Sequence, residues 1–239
     1  MKKSEAHRML ERQIGEEIPV GALPYEPREH PMLFADAMVC ALLDDRKTQT
    51  RRFVKLPKRL AGADLSRAWV DPGLGGGAYL KVPVGETVER VRSPWSVGQR
   101  IWVREAFVEC CPCLSFCFCG EFREKNHTFA YRADGRPSPS GRWTPSIHMP
   151  RRASRITLEI TEVRVERLHA ITEEDARAEG APCYVCGRPI LQSNESDCAC
   201  FHGGGARASF ESLWCAINGE DSWRANGWCW VVSFKRVSP

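Results

Sequence analysis

Residues 154–168 carry a long alternation in which Ile156, Leu158 and Ile160 share one phase and Val163 and Val165 the opposite one. A two-residue period marks a strand with one buried face. The phase inverts at Thr161-Glu162. A strand that inverts mid-way keeps its apolar side chains in a core only by gaining a residue, so a β-bulge is predicted there, in a sheet bent as a small curved barrel requires.

Shorter segments supply the rest of a mixed α+β pattern. Pro31-Met32-Leu33-Phe34 reads as a strand, and the apolar run 37–43 reads as a helix with Asp36 as its cap. Residues 56–94 are loop-like, rich in Pro and Gly, with one strand expected at 86–91. Gly73-Leu74-Gly75-Gly76-Gly77 lacks the strand–turn–helix context and GK[ST] ending of a phosphate loop and reads as linker. A turn at 95–100 leads into a strand at 101–105, and another strand is expected at 128–132. Thr172 caps a two-turn helix that Gly180 ends, with Glu179 placed in the last turn against the helix dipole. Phe210, Leu213, Trp214 and Ile217 recur at helical spacing before Gly219, and a final strand runs from Trp228 through Phe234.

Residues 1–30 combine a short helical candidate with Pro19, Gly21, Pro24 and Pro27 and are expected to form an arm. Residues 31–239 then make one domain with cysteine-rich insertions at about 109–121 and 182–203. Eight Trp, ten Phe and a hydrophobic fraction of 43% suffice for a packed core. Apolar runs fall short of the roughly 20 residues that span a bilayer, and Met1-Lys2-Lys3 precedes no apolar signal core. A cytoplasmic, membrane-free protein is expected. The net charge of +4 is mild, so any contact with nucleic acid must be local.

Twelve cysteines without a secretion signal point to metal rather than disulfides. Cys183-x-x-Cys186 and Cys198-x-Cys200, with His202 nearby, offer two ligand pairs for a tetrahedral structural zinc. Cys110, Cys111, Cys113, Cys117 and Cys119 are spaced less regularly and either hold a second zinc or share the first. Cys40, Cys215 and Cys229 lie in apolar runs and read as buried thiols. A zinc deaminase would pair Pro182-Cys183-x-x-Cys186 with Cys119-Gly120-Glu121. That arrangement is disfavoured because Cys198 and Cys200 would fill the position a reacting water needs.

Between the first helix and the next strand lies Arg46-Lys47-Thr48-Gln49-Thr50-Arg51-Arg52. An isolated run of this kind is usually a solvated face. It also gathers an amine, hydroxyls and guanidiniums, a set suited to an anion or a carbonyl. A hydroxyl becomes a nucleophile when a neighbouring base takes its proton, and cationic neighbours favour the neutral amine of a lysine.

The order of Phe34, the apolar helix, Arg46-Lys47-Thr48-Gln49-Thr50-Arg51, the Gly98 turn, the long strand to Leu168, the helix 172–180 and the last strand resembles the ASCH domain family. Those proteins are PUA-like β-barrels, and the overall text is similar to members encoded by bacteriophages and prophages. Within that family the Arg-Lys-Thr-x-Thr-x-Arg run and the segment Ile171-Thr172-Glu173-Glu174-Asp175-Ala176-Arg177-Ala178-Glu179 resemble the bacterial 4-acetylcytidine amidohydrolases. The resemblance implies Lys47 as base, Thr50 as nucleophile and Glu179 as the group that orients and protonates the leaving amine. It also makes Arg46, Arg51 and Arg52 candidates for binding substrate or phosphate. This chain is larger than those enzymes and carries two cysteine insertions that they lack.

Two other readings stay open. An RNA-binding module without catalysis would track phosphates with Lys47, Arg51, Arg52, Arg151, Arg152 and Arg155 and stack a base on Trp143. A zinc-stapled phage structural or assembly factor would use the fold only as a scaffold.

Overall fold

Strand and helix patterning resolves into ten strands and four α-helices among the residues that the computed structural model describes, 28–71, 78–109, 129–138, 141–183 and 205–237. In chain order they are β1 (Glu29–Leu33), α1 (Asp36–Leu43), β2 (Gln49–Phe53), β3 (Trp69–Asp71), β4 (Tyr79–Val84), β5 (Thr87–Arg92), β6 (Arg100–Arg104), β7 (Phe107–Glu109), β8 (Phe129–Tyr131), β9 (Thr157–Arg167), α2 (Glu173–Ala178), α3 (Gly205–Asn218), α4 (Glu220–Arg224) and β10 (Trp228–Val237). The class is mixed α and β.

The main sheet runs β1-β6-β9-β10-β2, with β1 parallel to β6 and the other neighbours antiparallel. The bulge falls at the phase inversion: Ser233 faces Glu162 while Phe234 faces Ile160, so Thr161 is the extra residue. Its effect on packing is direct. Leu158 and Ile160 join Ile101, Val103 and Phe234 in one core cluster. Past the bulge, Val165 joins Trp228, Trp230, Leu80 and Val82 in a second, and Val163 packs against both.

The strand order ends at β1 and β2, so ladder closure into a barrel is not found among the described residues. The two edges nonetheless meet. Arg52 donates to the Leu33 carbonyl at 2.7 Å, and its guanidinium lies 5.4 Å from the Phe34 ring centroid. The sheet is curved enough for one side chain to bridge its edge strands.

Three sequence expectations change. Ala35 is the N-cap residue of α1 with no side-chain cap, while Asp36 lies in the first turn and accepts from Arg132 Nε. The expected loop over 56–94 contains β3 and β4 as well as β5, forming a three-stranded sheet. Its alternation is short and interrupted by Pro83, yet Leu80, Val82 and Val91 are buried against β9 and β10. The first strand begins at Glu29, inside the range expected to be the arm.

Of the cysteines proposed to bind metal, only Cys183 is among the described residues, where it is buried. Cys110, Cys113, Cys117, Cys119, Cys186, Cys198 and Cys200, together with Cys111 and His202, lie outside them. Among the described residues no three His, Cys, Asp or Glu side chains are grouped to hold a metal ion. No described helix is long and apolar enough to cross a membrane.

Candidate active site

Lys47 is delivered by the way α1 ends. The buried face of α1, Met38, Val39, Ala41 and Leu42, fixes the helix on the core. Asp45 then adopts a left-handed conformation with φ of 55°, a position usually given to Gly or Asn. Arg46 N donates to Ala41 O and Asp45 N to Leu42 O, the two bonds of a Schellman motif. Arg236 reinforces it through the Asp45 carboxylate and the Leu43 carbonyl. The chain turns inward: Lys47 N also donates to Ala41 O, Thr48 N donates to Ala178 O, and Phe234 N donates to Thr48 O.

Glu179 comes from the other direction. Thr172 Oγ1 accepts from Asp175 N at 3.1 Å, the cap read in the sequence, and Glu179 is the C-cap residue of α2. Gly180 follows with φ of +70°. A Cβ there would lie 2.9 Å from the Cβ atoms of both Ala41 and Lys47, so glycine is needed for backbone conformation and for close approach.

The two side chains meet in the interior. Lys47 Nζ donates to Glu179 Oε2 at 3.0 Å, to the Glu179 carbonyl at 2.7 Å and to the Gln49 carbonyl at 2.8 Å. All three ammonium protons have acceptors. Burial lowers the Lys47 pKa below its ordinary value; Glu179 opposes that effect, and Arg52 and Arg51 add to it. Lys47 and Glu179 are each only 4% exposed.

Arg51 is taken up structurally. Its buried guanidinium pairs with Asp175 at 2.9 Å, Glu166 at 3.1 Å and Glu179 at 3.3 Å. Arg164 extends the network to Asp175, Glu166 and Gln49 Oε1. The side-chain period of two explains the arrangement: Gln49 and Arg51 on β2 share a sheet face with Arg164 and Glu166 on β9. Burial raises the pKa of the Asp175 carboxyl, but the Arg51 and Arg164 guanidiniums outweigh it and hold that pKa below the usual value. Sequence reading missed Glu166, Arg164 and Asp175 because each joins the site through register or through the docking of α2.

A cleft of about 110 Å³ runs along β2, and Lys47, Thr50, Arg51, Arg52 and Glu179 all line it. Thr50 and Arg52 point to the face opposite Arg51. Thr50 is buried, and among the described residues no hydrogen bond joins its hydroxyl to Lys47. Arg52 forms no salt bridge within 4.0 Å among the described residues, although the Glu179 carboxylate acts on its charge, and the Leu33 carbonyl and Phe34 ring hold it at the cleft. Phe210, Trp214 and Ile217 of α3 close the far wall. Ile217 shares the helical spacing of the buried Phe210 and Trp214, yet it is 60% exposed.

Other candidates lie elsewhere. Arg46 is paired with Asp44, Arg152 with Glu109 while stacked on Phe129, and neither these nor Trp143 lines the cleft. Arg151 and Arg155 pair with Glu29 and Glu105. A larger cavity of about 510 Å³ shares the Lys47 wall, but its cations Arg155, Lys235 and Arg236 are each ion-paired. Cys229 is fully buried on the Arg51 face, and burial pushes its thiol up to about 12.

Comparison of this chain with protein-family models, with curated proteins and with solved structures finds no match.

Proposed function

We propose that the cleft along β2 hydrolyses an N-acyl bond on a nucleobase, of the kind present in 4-acetylcytidine, on a PUA-like fold of the ASCH type bridged by Arg52. The observation that supports this reading is the convergence of Lys47, Thr50 and Glu179 on one cleft, although 132 residues separate Lys47 from Glu179. A buried ion pair is expensive to desolvate, and such pairs concentrate where chemistry uses them.

The resting pair defines the first step. With three acceptors around it, the Lys47 ammonium has no lone pair for Thr50. Transfer of one proton to Glu179 across 3.0 Å gives a neutral pair, the direction that burial of Lys47 favours. The Lys47 amine then accepts the Thr50 proton as Oγ1 attacks the acyl carbonyl. Glu179, now a carboxylic acid, gives its proton to the exocyclic nitrogen as the C–N bond breaks. Both residues return to their resting charges. Water cleaves the acyl-threonine by the same proton route with the Thr50 oxygen as leaving group. Arg52 is placed to stabilise the oxyanion or hold a phosphate.

The volume of about 110 Å³ suits an acyl group entering first, with the base and sugar outside. The test is acid quenching of the protein with 4-acetylcytidine, followed by peptide mass spectrometry. An acetyl group on the Thr50 peptide, lost in Thr50→Ala and in Lys47→Ala, is expected. Turnover without any acyl-threonine would replace Thr50 by direct water attack. Absence of turnover together with salt-sensitive RNA binding that survives Thr50→Ala would favour the non-catalytic module.

A further inference from the structure

The three-stranded sheet has two unlike faces. Leu80, Val82 and Val91 point inward and are buried against Val165, Trp228 and Trp230. The register places the other face outward. Trp69, Lys81 and Arg90 form one row across β3, β4 and β5, and Tyr79 and Arg92 sit in the next.

This outer face interleaves aromatic rings with cations. Trp69 is 43% exposed, Arg90 and Arg92 are exposed, and the Arg90 guanidinium lies 5.2 Å from the Tyr79 ring centroid. Arg90 and Arg92, two residues apart on one strand, are spaced by about 7 Å, while Trp69 stands about 10 Å away across β4. Charge complementarity selects a polyanion, and the rings select one whose bases are unpaired, because stacking requires a free base face.

We infer that the outer face of β3-β4-β5 binds single-stranded nucleic acid, with Trp69 stacking on a base and the exposed Arg92 holding a flanking phosphate. This surface is distinct from the β2 cleft, since none of its residues lines that cleft. It would bring a polynucleotide, rather than a free nucleoside, to the protein.

Fluorescence anisotropy of the full chain with labelled oligouridine, oligothymidine and a duplex of equal length tests the inference, at two salt concentrations. Binding to a single strand is expected, weakening with salt, with RNA and DNA compared to identify the natural strand. Trp69→Ala is expected to weaken it about tenfold or more and Trp69→Phe to restore most of it. Arg92→Ser is expected to lower the salt slope by about one phosphate contact. Trp69 and Arg92 are solvent-exposed, so unchanged circular dichroism separates lost binding from lost folding. The inference is overturned if no single strand binds, if the duplex binds more tightly, or if Trp69→Ala and Arg92→Ser bind normally while Arg52→Gln does not. Binding lost in Trp69→Ala with 4-acetylcytidine turnover intact supports the surface independently of the amidohydrolase reading.

Discussion

Lys47 Nζ donates to both the carbonyl and the carboxylate of Glu179, at 2.7 and 3.0 Å, so one ammonium satisfies the end of α2 and neutralises an acidic side chain there. A carboxylate in a last helical turn opposes the helix dipole. The cost is offset by a cation from a distant connection.

Removing that cation leaves a buried carboxylate whose remaining ion-pair partner among the described residues is Arg51. Lys47→Met is expected to destabilise the fold by about 3 kcal/mol. Glu179→Leu should cost a similar amount, and the double variant less than the sum, with a coupling of at least about 1.5 kcal/mol in urea unfolding. Additive effects would mean that the pair is not formed in solution.

Gly180 separates strain from crowding. Gly180→Ala should cost about 1–3 kcal/mol and also displace Lys47, because the new methyl would stand 2.9 Å from Lys47 Cβ. Gly135 has a similar φ of +72° with nothing within 4 Å. Gly135→Ala should therefore lose stability alone, with turnover of the folded protein retained. Equal loss of turnover in both variants would contradict the packing account.

Glu173 caps a helix other than its own. Its carboxylate accepts from Ala206 N at 2.7 Å and Arg207 N at 3.3 Å at the start of α3. Glu173→Ala is expected to cost about 1 kcal/mol in thermal or urea unfolding. Because α3 forms one wall of the cleft, the substrate KM should rise more than kcat falls.

Cys229 gives a pH signature. A thiol whose folded pKa is about 12, against an ordinary 9.0, contributes stability that is fully present below about pH 9 and lost as pH rises towards 12. Urea unfolding between pH 8 and pH 10.5 should show a falling stability, with a limiting slope of about 1.4 kcal/mol per pH unit from this group. Cys229→Ala should flatten that part of the curve. An unchanged slope would place the titration elsewhere.

Zinc remains a proposal from spacing alone, with Cys183, Cys186, Cys198 and Cys200 as one ligand set. Cys183 is buried and follows Glu179 closely in sequence. Metal analysis is expected to find one or two zinc ions per chain, and chelation to lower the melting temperature and turnover together. A zinc-free, fully active protein would remove the metal from the account.

How much of this was legible depends on the range of the interaction. The bulge at Thr161 was readable because inversion of Val163 and Val165 is written within one strand. The Thr172 cap and the Gly180 stop were readable for the same local reason. β3 and β4 were not, because three residues and an internal proline give too little period to count. The triple pairing of Arg51 was hidden too, since it depends on β9 register and on α2 docking together. Ile217 had the spacing of a core residue, but its helix face extends beyond the core to the cleft wall.

The most direct test is conversion of 4-acetylcytidine to cytidine by the full chain, measured beside Thr50→Val, which exchanges the hydroxyl for a methyl at a buried site of nearly constant volume. Turnover by the parent protein and a loss of at least about a thousandfold in Thr50→Val are expected, with both proteins folded by circular dichroism. Equal turnover by both proteins would contradict a threonine nucleophile, and no turnover by the parent would contradict the proposed activity on this substrate.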